Sequence, residues 1–162
     1  MNADLPRRVA ILSRNRDATI AIGLAVGRRL AAGQFVALRG PLGAGKTCLA
    51  QGLLAGLEVR EGGRSPTFVL MYCYEGRVPV YHLDAYRLNA PEELLELGWE
   101  ELLSGPAVVI LEWSDRATAL LPPDRLEVDL EPVAEQDDWR LISMAATGDR
   151  HQALIASLDP GR

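Results

Sequence analysis

The chain has 162 residues, 48% of them hydrophobic and 24% charged, with a net charge of −5, values that suit one ordinary globular domain and exclude a disordered or low-complexity chain. The charge is uneven, with ten Lys/Arg against four Asp/Glu in residues 1–64 and seven against eighteen in residues 65–162, which argues against direct gripping of a nucleic-acid backbone and favours a protein partner or a small phosphorylated ligand. Two cysteines, Cys48 and Cys73, lack metal-ligand spacing and read as reduced core thiols, no apolar run approaches 18 residues, and the first residues do not form a leader, so a cytoplasmic chain without a membrane segment is expected.

In chain order, Val9-Ala10-Ile11-Leu12-Ser13 reads as a short strand. Asp17 or Ser13 is placed to cap a helix over about residues 18–32, with Ile20, Ile22 and Leu24 on its apolar face and Gly33 as its stop. Gln34 to Arg39 is a short buried strand, and Leu49, Leu53, Leu54 and Leu57 recur at helical spacing behind a glycine loop. Residues 58–64, with Gly62-Gly63, have the composition of a mobile loop. Thr67 to Tyr74 and Val78 to Asp84, joined by Glu75-Gly76-Arg77, read as a hairpin. Pro91-Glu92-Glu93 opens a helix that continues past Gly98 to Leu103. Ala107 to Leu111 is a continuous apolar run, the mark of a central strand covered on both faces. Residues 126–130 and 139–144 alternate and read as edge strands with one wet face, and a last helix covers about 149–158, where His151 reads as a surface residue.

The loop between the second strand and its helix, Gly40-Pro41-Leu42-Gly43-Ala44-Gly45-Lys46-Thr47, has Gly, four residues, then Gly-Lys-Thr. Strand, glycine loop and helix are the context a phosphate-binding loop needs, since the glycines let backbone N–H groups converge on a polyphosphate at the positive end of a helix. Lys46 would reach the β- and γ-phosphates and the Thr47 hydroxyl would hold Mg²⁺. Lys46 is also the only lysine beside sixteen arginines, a compact ammonium where a planar fork would not fit the cradle. The expected fold is α/β: a single three-layer P-loop NTPase domain with a central, mostly parallel sheet carrying antiparallel strands, and helices on both faces.

Three further places carry chemistry. Ser65-Pro66-Thr67-Phe68 delivers hydroxyls on a segment that could close over a γ-phosphate, although the same residues serve as a strand-entry turn. Asp84 ends its strand, as a Mg²⁺ or water-orienting carboxylate does beside a P-loop or as a helix cap does elsewhere; His82, on the same strand face, reads as a core or capping histidine. Glu112 terminates the run Val108-Val109-Ile110-Leu111, as a Walker B carboxylate would with Glu for Asp, and Trp113 beside it could wall the site from water or simply pack.

Together, Gly-Pro-Leu-Gly-Ala-Gly-Lys-Thr at 40–47, Ser-Pro-Thr-Phe at 65–68, His-Leu-Asp-Ala-Tyr-Arg-Leu at 82–88, Pro-Glu-Glu-Leu at 91–94 and Leu-Glu-Trp at 111–113 resemble the TsaE (YjeE) family of small bacterial P-loop ATPases. The resemblance implies that residues 40–47 bind ATP, that Thr47 and Glu112 hold Mg²⁺ with Asp84 as the second acidic group, that Thr67 belongs to a switch-like segment, and that Trp113 lies at the site. It also implies partners, a TsaD-type threonylcarbamoyl transferase and its TsaB-type companion, with ATP hydrolysis resetting that complex and tRNA contacted only through it. Cys48 stands where the family usually has threonine, and residues 1–16 and 132–162, Arg140 among them, are only loosely similar. A P-loop kinase with Asp84 as base remains the alternative; a GTP switch is disfavoured because no second lysine exists to build a guanine-reading Asn-Lys-x-Asp segment.

Overall fold

The computed structural model describes residues 6–60 and 70–158. Its elements are β1 (Arg8–Ser13), α1 (Arg16–Gly27), β2 (Phe35–Arg39), α2 (Lys46–Gly56), β3 (Met71–Glu75), β4 (Pro79–Asp84), a 3-10 helix (Pro91–Leu97), α3 (Trp99–Ser104), β5 (Val108–Glu112), a second 3-10 helix (Ser114–Leu120), β6 (Leu126–Val133), β7 (Gln136–Ala146) and α4 (Asp149–Leu158). The strands make one mixed sheet in the order β1-β7-β6-β2-β5-β4-β3. The four middle strands, β6, β2, β5 and β4, run parallel; β7 pairs antiparallel with β6, edge strand β1 antiparallel with β7, and edge strand β3 antiparallel with β4.

The middle of the sheet is where the sequence is apolar without alternation. Every residue of β5 is buried, and so are Phe35 to Leu38 of β2, because helices cover both faces there. On one face Leu49, Leu53 and Leu54 of α2, Val26 of α1 and Ile155 of α4 pack on Val36, Leu38, Val108 and Ile110. On the other, Leu94, Trp99, Leu102 and Ala117 from the short helices cover Phe35, Ala37, Val109 and Leu111, with Phe35 and Trp99 edge to face at 5.8 Å. β6 and β7 do have one wet face each, but neither is an edge: β6 lies between β7 and β2, and β7 between β6 and β1. Their alternation reflects a half-sheet that helices cover on one side only.

Helix α1 differs from its expected span. It starts at Arg16, and its cap is Asn15, whose Oδ1 accepts the Ala18 N–H at 2.8 Å; Ser13 instead pairs with Thr19 Oγ1 at 2.8 Å. It stops at Gly27 rather than near 32, because Arg77 reaches back from the β3–β4 turn and donates to the carbonyls of Gly27 and Leu30, both at 2.8 Å. A guanidinium far along the chain thus does the work of a C-cap. The helix expected over 91–103 is also divided: its first part is 3-10, and Gly98, at φ +75°, starts α3 afresh.

Helices α1 and α2 meet backbone to backbone through two pairs of glycines four residues apart. A Cβ on Gly23 or Gly27 would lie 2.3 Å from the Leu49 or Leu53 carbonyl oxygen, and one on Gly52 would lie 2.2 Å from that of Ile20. His151 corrects the reading of a surface residue. It is 1% exposed, its Nε2 accepts the Phe35 N–H at 3.1 Å, and its Nδ1 contacts Asp124 Oδ1 at 2.6 Å. The imidazole fastens α4 to the first residue of β2.

Candidate functional site

The carboxyl ends of parallel β2, β4 and β5 point the same way, and the register sets Asp84 opposite Glu112 and Glu112 opposite Leu38. The glycine loop leaves β2 at this edge, the usual place for a ligand crevice in an open α/β sheet. Gly40 has φ +152° and a Cβ there would fall 2.6 Å from the Leu130 carbonyl oxygen, while Gly43, at φ +77°, faces open space. The first position tolerates no side chain, and the second keeps the cradle empty. Residues 42–48 with Asp84, Tyr86, Glu112 and Trp113 line a cleft of about 340 Å³, about the lower limit for a small-molecule site.

Inside the cleft, Lys46 Nζ donates to Gly40 O at 2.5 Å and Pro41 O at 2.9 Å and stands 3.8 Å from the Trp113 ring centroid. Burial lowers its pKa, opposed by the nearby carboxylates of Glu112, Asp115 and Asp84. Thr47 Oγ1 donates to Glu112 Oε1 at 3.1 Å, and the other oxygen, Oε2, lies 2.6 Å from His82 Nε2. Asp84 accepts the Tyr86 N–H through Oδ1 at 2.8 Å. Burial raises its pKa, the Tyr86 hydrogen bond lowers it, and neighbouring Glu112 raises it further. Trp113 adopts a left-handed backbone, φ +57° and ψ +41°, which turns its ring over Lys46 and against Tyr86 at 4.8 Å. Arg116 stacks behind, 5.0 Å from the Tyr86 ring and 5.8 Å from that of Trp113.

Lys46, Thr47, Asp84, Glu112 and Trp113 therefore converge with the loop residues Gly40, Pro41, Leu42, Gly43, Ala44 and Gly45. Thr67, with Ser65 to Phe68, lies outside the described residues. The donors suit a small hard cation: one hydroxyl and two carboxylates beside a phosphate cradle, where Mg²⁺ takes few protein ligands and completes its shell with phosphate oxygens and water. Among the described residues, no group of three or more His, Cys, Asp or Glu forms an all-protein cage. Cys48 lines the cleft and is half-buried, and Cys73 is exposed on edge strand β3, so neither is a core thiol.

Sequence reasoning left Arg140 without a role. From β7 its Nε and Nη2 donate to Ala44 O and Gly43 O, both at 3.1 Å. A carbonyl held on one side of a trans peptide turns the next N–H to the other side, so this arginine fixes the loop's peptide orientation from behind. His82, expected from the sequence as a core or capping histidine, is 1% exposed and holds Glu112. A second cleft of about 340 Å³ lies on the uncovered sheet face, but its Arg39 is already paired with Asp129 at 2.8 Å and with Glu127 at 3.4 Å, which leaves it little free charge for a ligand.

The chain matches the family profile described as threonylcarbamoyl adenosine biosynthesis protein TsaE over residues 13–141. The tRNA threonylcarbamoyladenosine biosynthesis protein TsaE of Treponema pallidum is 40% identical over 124 residues, which cover 76% of this chain and 92% of that one. Its counterpart in Nostoc sp. is 46% identical over 110 residues, covering 65% and 68%, and that of Bacillus subtilis is 35% identical over 127 residues, covering 78% of each. The crystal structure of Bacillus subtilis YdiB matches the fold with a TM-score of 0.80 at 29% identity, covering 96% of this chain and 97% of the other. With a glycine loop, two strand-end carboxylates and this profile over most of its length, the chain belongs to the TsaE family of threonylcarbamoyl adenosine biosynthesis proteins.

Proposed function

We propose that this chain, acting as a single domain, is the Mg²⁺-dependent ATP-binding and ATP-hydrolysing subunit of the machinery that makes threonylcarbamoyladenosine in tRNA. The observation that carries the reading is the 3.1 Å contact of Thr47 Oγ1 with Glu112 Oε1 at the foot of the glycine loop, a hydroxyl and a carboxylate set together where a Mg-nucleotide needs them. A Mg²⁺ ion at this place would supply positive charge to the phosphates of the nucleotide. Thr47, Glu112 and Asp84 are the residues that would hold it. Lys46, held at the loop by Gly40 O and Pro41 O, brings a positive charge to the same phosphates. Asp84, whose burial raises its pKa, is suited to accept a hydrogen bond from the attacking water. Trp113 and Tyr86 exclude bulk solvent from one side, and Thr67 joins the set on resemblance alone.

The partners on this reading are a TsaD-type transferase and its TsaB-type companion, with tRNA reached only through them and no membrane involved. The acidic second part of the chain supports a protein partner over a nucleic-acid one. The compartment is the cytoplasm, where free thiols such as the exposed Cys73 persist. The experiment is phosphate release from ATP by the isolated chain, then with TsaD and TsaB. Alone, the rate should fall well below the roughly 1–100 s⁻¹ of kinases; the partners should raise it, and Lys46→Ala and Glu112→Gln should abolish the rise. If the partners leave the rate unchanged while a small metabolite is phosphorylated, the kinase reading with Asp84 as base takes its place.

A further inference from the structure

Glu112 is a flexible side chain asked to present one oxygen at a fixed place, and its direct strand neighbour does not hold it. Asp84, opposite it in register, is engaged with the Tyr86 N–H. His82 stands opposite Ile110 and reaches diagonally to Glu112 Oε2 at 2.6 Å, with both side chains 2% exposed. Thr47 takes the other oxygen. The carboxylate is thus gripped from two sides, by a hydroxyl at the cleft and by an imidazole beneath it.

The second ring nitrogen indicates what the imidazole is for. His82 Nδ1 is buried and has no hydrogen-bond partner among the described residues. An orphaned buried polar atom destabilises the fold, so a ring present only to fill space would do better without it. An unpaired acceptor is easier to tolerate than an unpaired N–H, which places the hydrogen on Nε2, where it donates to Glu112. We infer that His82 is a positioning residue, which fixes the carboxylate of Glu112 through Nε2–H so that Oε1 is presented beside Thr47 to the cation of a bound nucleotide. Outer-shell groups of this kind change metal affinity or activity by about 10–100-fold. The inference rests on the proposed Mg-nucleotide reading of Thr47 and Glu112.

The test is calorimetric titration with ADP, in saturating Mg²⁺ and in EDTA, on the full chain. His82→Phe keeps a ring and removes the donor. It should bind ADP in EDTA within twofold of wild type and in Mg²⁺ about tenfold more weakly. Glutamine sets its amide nitrogen near the position of Nε2, and asparagine near that of Nδ1, so His82→Gln should retain the Mg²⁺-dependent affinity within about threefold while His82→Asn behaves as His82→Phe. If His82→Phe does not fold, the glutamine and asparagine pair decides alone. The inference is overturned if His82→Phe binds Mg-ADP within twofold of wild type, if its loss is the same in EDTA as in Mg²⁺, or if glutamine is no better than asparagine. Wild-type ADP affinity that ignores Mg²⁺ would overturn the metal reading itself, and this role with it.

Discussion

Replacing Gly52 by alanine sets two effects of opposite sign against each other. In a helix free of neighbours, alanine would stabilise α2 by about 0.8–1 kcal/mol. Here the new methyl carbon would stand 2.2 Å from the Ile20 carbonyl oxygen and 2.8 Å from Gly23 Cα and Leu24 N. All three are backbone atoms with no rotamer to turn away, and contact needs about 3.5 Å. The helices must therefore part by roughly 1 Å, which opens a close-packed seam along its length. Overpacking of this sort costs about 1–3 kcal/mol and occasionally more, and because the clash is with backbone we place this case at the upper end, for a net loss of about 2 kcal/mol. In a chain of this size each kcal/mol moves Tm by about 2–4 °C, so thermal unfolding followed by circular dichroism should show a fall of roughly 4–8 °C. Gly23→Ala added to Gly52→Ala should cost less than it does alone, since the seam is already open. A Tm at or above wild type in Gly52→Ala would refute the close-approach argument and leave helix propensity as the stronger effect.

Arg140→Met should weaken ADP binding by about 1–2 kcal/mol, five- to thirtyfold, because two charge-assisted bonds to the loop carbonyls are lost; calorimetry alongside an almost unchanged melting curve checks this. Arg77→Met should destabilise the fold by about 1–3 kcal/mol, since the Leu30 carbonyl loses its donor and the Gly27 carbonyl keeps only the Leu30 N–H, and urea denaturation reads it directly. For His151, burial lowers the pKa against the Asp124 hydrogen bond that would raise it, in keeping with an Nε2 that accepts the Phe35 N–H. The unfolded chain then takes up a proton near pH 6.5 that the folded chain refuses, so stability present above that pH is lost as pH falls towards the folded pKa. Urea midpoints between pH 7.5 and 5.5 should drop for wild type and drop less for His151→Gln; equal slopes would mean that His151 is not the titrating group.

What was legible in the sequence was whatever acts over a few residues. The offsets of Gly40, Gly45, Lys46 and Thr47 describe the loop, and the apolar run closed by Glu112 describes β5, because a parallel strand buried on both faces cannot alternate. The wet faces of β6 and β7 were readable, but their places in the sheet were not, since alternation reports exposure of one face and says nothing of neighbours. The end of α1 was misjudged because a side chain that holds its last carbonyl belongs to Arg77, fifty residues on from Gly27, and no local stop signal marks Gly27. His151 was misread because the N–H it serves belongs to Phe35, 116 residues away. At the site, Asp84 and Glu112 were readable as carboxylates that end their strands, and the resemblance added only their metal role, whereas the hold of Arg140 on the loop and the grip of His82 on Glu112 join side chains to groups far away in sequence.

The hold of Arg140 on the glycine loop has a consequence for synthesis. Chains emerge from the ribosome N-terminus first, at about 5–20 residues per second, and the loop motif is complete once Thr47 has appeared. Its strand then has no neighbour: β2 pairs with β5 at Val109 and with β6 at Leu126. The arginine that orients the loop's peptides is 96 residues beyond Ala44, and α4, whose imidazole closes the start of β2, comes later still. A nascent chain carrying the whole motif is thus a set of unpaired strand edges, and the cradle is complete only after Arg140 and α4 have followed it out of the ribosome.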